Sequence, residues 1–171
     1  LCAGTYTVAV VDANGCNDTV TFTINEPAPI VTAFTGVVDA DCNGTCNGEA
    51  TIGVVSGGTA PFTFDWSNGG SGTTQTGLCA ATYTVTITDG TGCTTTNTVI
   101  INEPGGLTLI LVTSSDASCN GVCDGSATVG TTGGTLPYTY SWPSGNASTV
   151  EAGLCAGTVT VTVTDANGCN T

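Results

Sequence analysis

The chain has 171 residues, a net charge of −13 and no Lys, Arg or His, so no ion pair can form between its side chains and solvent cations alone answer their repulsion. Nothing in it can neutralise phosphates, so neither nucleic-acid binding nor docking on an anionic membrane is expected. The imidazole and ammonium groups behind most general bases and activated nucleophiles are missing too, and the expectation is a non-enzyme without a cofactor.

Residues 1–27 read as a hairpin. Thr alternates with apolar residues over Thr5-Tyr6-Thr7-Val8 at the strand period of two, Asp12-Ala13-Asn14-Gly15 supplies the turn, and Pro27 of Asn25-Glu26-Pro27 stops the returning strand. Residues 28–104 read as a complete module. Its expected strands are A near 30–38, B at 49–55, C at 62–66, a short C′ near 68–71, E at 73–77, F at 82–88 and G at 94–102. Phe62, Phe64 and Trp66 share one face of C, and Tyr83, Val85 and Ile87 share one face of F, which makes them the predicted core. Residues 105–171 repeat the pattern, with Tyr138, Tyr140 and Trp142 on C, but stop before most of strand G. Short strands, a Trp on C and a Tyr opening F predict an all-β chain of tandem immunoglobulin- or fibronectin-III-like β-sandwiches arranged as a rod. No apolar run reaches membrane-spanning length, so membrane insertion of this segment is not expected.

The cysteines repeat on a ruler. Cys2, Cys79 and Cys155 are 77 and 76 residues apart, Cys16, Cys93 and Cys169 repeat both steps, and Cys42 to Cys119 and Cys46 to Cys123 are again 77. LCAGTYTVAVVDANGC at 1–16 returns as LCAATYTVTITDGTGC at 78–93 and LCAGTVTVTVTDANGC at 154–169, so Leu1 falls in mid-repeat. Ten Cys in small Thr- and Gly-rich modules point to an oxidising, extracellular setting. Strand F, seven residues at about 3.3 Å each, holds Cys79 and Cys93 roughly 20 Å apart, too far for a bond. The A–B loop carrying Cys42 and Cys46 lies at the Cys79 end of the module, so one of the two is expected to bond Cys79. The F–G turn faces the preceding module, which offers the other to Cys169, against a competing local Cys42–Cys46 loop. By the same register one of Cys119 and Cys123 goes to Cys155.

Asp39-Ala40-Asp41-Cys42-Asn43-Gly44 looks like the start of a calcium loop, with Asp39, Asp41, Asn43 and Glu49 as candidate ligands. The acid falls one residue early, however, and Ser118 stands where Asp41 stood. A closed polar loop explains the residues as well, and only weak, diffuse Ca²⁺ binding is expected from the charge.

CNGTCNGEATIGVVSGGTAPFTFDWSNG followed by TGLCAATYTVTITDGTGC resembles the SprB repeat of giant surface proteins in gliding Bacteroidetes. The resemblance implies a cell-surface protein exported by the type IX system and built largely of such repeats, acting in adhesion and gliding, with no catalytic residue to carry over. Asp18-Thr19-Val20 resembles the O-glycosylation sequon of that group, making Thr19 a glycosylation candidate. The expected function is a non-catalytic stalk segment whose partners are neighbouring repeats, lateral copies, and surface or glycan ligands at a tip outside this sequence. The alternatives are an extracellular glycan-binding module, which would need exposed aromatics, and an accessory region of a secreted enzyme.

Overall fold

A computed structural model describes residues 3–171, so Cys2 lies outside the described residues. Among those residues all regular structure is β and every pairing is antiparallel. The alternation in residues 4–24 folds as one hairpin, β1 (Gly4–Val11) on β2 (Asn17–Ile24), in register from Gly4↔Ile24 to Val11↔Asn17.

The second module has six strands: β3 (Val31–Val38), β4 (Gly48–Ser56), β5 (Thr63–Trp66), β6 (Thr74–Leu78), β7 (Ala81–Thr88) and β8 (Thr94–Ile101). They form two sheets, β3-β4-β6 and β5-β7-β8, corresponding to strands A-B-E and C-F-G of a sandwich. Residues 68–71, expected as strand C′, are instead a turn closed by a single bridge between Asp65 and Ser71. Two consecutive glycines, Gly69 at φ 84° and Gly70, let the chain double back so that the Trp66 N–H reaches the Gly70 carbonyl at 3.0 Å. A segment that turns so tightly has no length left for a ladder.

The core lies between the two sheets, because strand alternation sends one side chain in two inward from each. Ala50, Ile52, Trp66, Leu78, Val85, Ile87, Val99 and Ile101 are buried, and Phe62, Phe64 and Tyr83 pack half-buried against them. The one polar atom of the buried indole is satisfied: Trp66 Nε1 donates to the Gly72 carbonyl at 2.9 Å.

The third module repeats the plan with β9 (Thr108–Ser115), β10 (Gly125–Thr132), β11 (Thr139–Ser141), β12 (Val150–Leu154) and β13 (Thr162–Thr164), in sheets β12-β10-β9 and β11-β13. Val129, Trp142 and Val163 are buried, and Trp142 Nε1 donates to the Ser148 carbonyl at 2.8 Å. Tyr138 and Tyr140 are half-buried; their hydroxyls meet the Gly133 carbonyl at 2.5 Å and the Thr131 hydroxyl at 3.0 Å. The equivalent of β7 spans three residues here and pairs with β11.

The hairpin shows what the facing sheet does. Val8 holds the place of Val85 in the repeat, yet Val8 is 47% exposed where Val85 is 0%. Tyr6 and Phe22 stack with ring centroids 5.9 Å apart.

Candidate functional site at the joint between modules

The loop between β3 and β4 is built by its own polar side chains. Asn47 Nδ2 donates to Asp41 Oδ2 at 2.7 Å while the Asp41 N–H donates back to Asn47 Oδ1 at 3.0 Å. The Thr45 hydroxyl closes the inner turn by donating to the Cys42 carbonyl at 2.8 Å. The segment leaving β8 is clamped onto the same loop: Asp39 Oδ1 accepts the Asn102 N–H at 2.8 Å, and Glu103 accepts Asn43 Nδ2 at 2.8 Å and the Gly44 N–H at 2.7 Å.

Asp39, Asp41 and Asn43 are thus each tied to a different partner, and Glu49 stands in β4 opposite Val38. Among the described residues no three His, Cys, Asp or Glu side chains converge as a metal cluster. The third module makes the same point. Ser118 takes the place of Asp41 and Asp124 that of Asn47, and the Ser118 N–H and hydroxyl donate to Asp124 at 2.8 and 2.6 Å. The acid has crossed to the other side of the bridge while the bridge persists. A hydrogen-bonded clasp tolerates that exchange, because either side chain can accept. The Ser118 hydroxyl, with its backbone N–H, holds the Asp124 carboxyl below its ordinary pKa.

Three disulfides join the described cysteines. Cys46–Cys79 and Cys123–Cys155 lie within modules, and Cys42–Cys169 crosses from the second module to the third with Cα atoms 5.7 Å apart. Strand register separates the roles of the two loop cysteines. Gly48 pairs with Leu78, which sets Cys46 at the sheet edge beside Cys79. Cys42 lies on the other side of the turn at Gly44, φ 75°, and meets the neighbouring module. Cys16, Cys93 and Cys119 are free and exposed.

The turn that carries Cys169 is held by a buried carboxylate. Asp165 Oδ1 accepts the N–H groups of Asn167 and Cys169, both at 2.9 Å, and Oδ2 accepts the Thr135 N–H at 2.8 Å from the loop between β10 and β11. Burial by itself would raise the Asp165 pKa, but these backbone donors outweigh it and the carboxyl is held below its ordinary value. Asn167 Nδ2 then donates across the joint to the Asp41 carbonyl at 2.8 Å. Asp89 does the same work in the second module, accepting the N–H groups of Thr59, Thr91 and Cys93 at 2.9–3.0 Å and the Thr91 hydroxyl at 2.8 Å. The Thr91 hydroxyl chiefly, with those backbone donors and against the cost of burial, lowers the Asp89 pKa to about 2.

The linker itself is held close. The Gly134 N–H donates to the Gly105 carbonyl at 2.6 Å, and Gly133, at φ 74°, sits where a Cβ would lie 2.0 Å from the Gly106 carbonyl oxygen. A side chain would push the linker away, so glycine is required both for the backbone angle and for the approach. Gly58 and Gly57 repeat this against Ala28 and Pro29.

These contacts tie one part of the chain to another. The strand-C aromatics Phe62, Phe64, Trp66, Tyr138, Tyr140 and Trp142 are buried or half-buried and offer a sugar no exposed platform, while Thr19 is exposed near the start of β2. The SprB repeat family model matches residues 35–71 and 111–147. The chain contains SprB repeats. Each match runs from strand A to the turn after the Trp of strand C and so includes the cysteine-bearing A–B loop. The F–G half of each module, with Cys79, Cys93, Cys155 and Cys169, lies beyond the matched residues. No curated protein matches the chain.

Proposed function

We propose that this chain is a non-catalytic stalk segment of a bacterial cell-surface adhesin or filament, in which stacked SprB repeats form a rod that projects a distal tip and carries tension. The observation that carries the reading is the covalent joint: Cys42–Cys169 ties one module to the next beside a linker already clamped by Asp39 and Glu103. Freely jointed domains need only a linker, whereas a rod under bending and pull benefits from a second connection away from the first. The repeat family and the disulfides both fit an extracellular, cell-surface setting, with export by the type IX route and a role in adhesion or gliding. Its working partners are the neighbouring repeats, and ligands are met elsewhere on the protein. The half-buried strand-C aromatics favour this reading over a glycan-binding module.

Immunogold labelling of intact cells with an antibody raised against the chain tests the proposal. Label on filaments reaching out from the outer surface is the expected result. Label that appears only after the envelope is permeabilised would overturn it.

A further inference from the structure

Three thiols remain free among the described cysteines, and their positions are not random. Cys93 and Cys16 occupy the F–G turn place that Cys169 fills in the third module, and Cys119 occupies the A–B loop place that Cys42 fills in the second. The backbone around each is already in the bonded form. The Val122 N–H donates to the Cys119 carbonyl at 3.1 Å, as the Thr45 N–H does to that of Cys42. The Cys93 N–H donates to Asp89 at 2.9 Å, as the Cys169 N–H does to Asp165.

We infer that Cys16, Cys93 and Cys119 are unfilled halves of the same staple, and that each bonds the complementary cysteine of another copy of the repeat: F–G turn to A–B loop, never like to like. Two thiols give up two electrons and two protons to form the bond. The oxidant is a disulfide, either a small one such as oxidised glutathione or that of a thiol–disulfide oxidoreductase, and it is reduced to two thiols. The rule is a property of the repeat and holds whether or not the array serves as a stalk.

Applied along an array, the rule gives two interleaved ladders. Each staple carries the covalent path from one A–B loop to the F–G turn of the next module. From there the path runs on to the following A–B loop, as from Cys16 to Cys42 or Cys93 to Cys119, 26 residues in each case (42−16 and 119−93). Those 26 residues are strand G, the linker and strand A, the middle case being β8, residues 102–107 and β9 followed by four loop residues. Strands already rise about 3.3 Å per residue against a limit of roughly 3.6 Å. The covalent path therefore holds only 26 residues for every two modules, and an array joined in this way cannot lengthen beyond roughly 3.6 Å for each of them even where its modules unfold.

The test oxidises the 171-residue chain itself in a glutathione redox buffer and maps its disulfides by non-reducing electrophoresis and peptide mass spectrometry. Head-to-tail multimers are expected, joined from Cys119 of one copy to Cys16 or Cys93 of another. With Cys2 replaced by Ser throughout, C119S should lose them while Cys42–Cys169 still forms, and a C16S/C93S chain should lose them as well. Two results overturn the inference: predominant like-to-like links such as Cys119–Cys119, or three thiols left free or capped by glutathione in chains whose Cys42–Cys169 bond has formed.

Discussion

Removing the staple between modules should change how far the chain can be drawn out, in steps fixed by connectivity. Between Ala3 and Thr171 there are 168 residue steps, of which Cys42–Cys169 removes 127 from the path of force, leaving 41. At about 0.33–0.36 nm per residue, the oxidised chain held at those ends should reach only about 14–15 nm however completely its modules unfold. In C42S/C169S the two remaining bonds still hide 33 and 32 steps, so 103 steps carry force and the limit becomes roughly 34–37 nm. Full reduction exposes all 168 steps, about 55–60 nm. Optical-tweezer stretching with handles at the two ends, with and without reductant, reads these three lengths directly. The reasoning is refuted if the oxidised wild-type chain extends as far as C42S/C169S, because the staple would then not lie across the path of force.

Within a module, the bond closing 33 residues should dominate stability: on the loop-entropy model Cys46–Cys79 is worth about 3–4 kcal/mol. C46A/C79A should melt clearly lower by calorimetry, whereas moderate salt should leave the melting point nearly unchanged. Asp89 should confer acid sensitivity. Its folded pKa, about 2, lies below the unfolded value of 3.8, so its contribution is complete above about pH 4 and is lost as the pH falls towards 2. Thermal melts followed by circular dichroism should show that loss, and D89N, less stable at neutral pH, should show a smaller acid decline. Calcium should act on this −13 chain by screening alone. Calorimetric titration should give weak, unsaturated heats, and a stoichiometric micromolar site in each module would restore the A–B loop as a ligand cage.

Much of the sandwich is legible in the residues because strand alternation is a local signal: Phe62, Phe64 and Trp66, or Tyr83, Val85 and Ile87, declare a face without reference to anything distant. What resists reading is long-range. The Asn68-Gly69-Gly70-Ser71 stretch has no alternation to distinguish a short strand from a turn. Cys42 and Cys46 share one loop, and only the pairing of Gly48 with Leu78, with the turn at Gly44, separates their partners. Asp89 announces itself as a turn residue, and it does bond its own turn, but its reach to the Thr59 N–H spans 30 residues. Glu103 reads as part of a proline stop; its clasp on Asn43 and Gly44 spans 60 and 59 residues. The one signal for it in the text is that Asn-Glu-Pro recurs at 25–27 and 102–104.

The bond from Cys42 to Cys169 also makes a ring of everything between them. A single hydrolysed peptide bond anywhere in that ring leaves two pieces still joined. A cut near Gly145 is bridged by Cys42–Cys169 and Cys123–Cys155, and one near Gly58 by Cys42–Cys169 and Cys46–Cys79. To part the chain within residues 42–169 takes at least two hits or a reductant. A chain stapled in this way therefore keeps its continuity through a first cut within the ring.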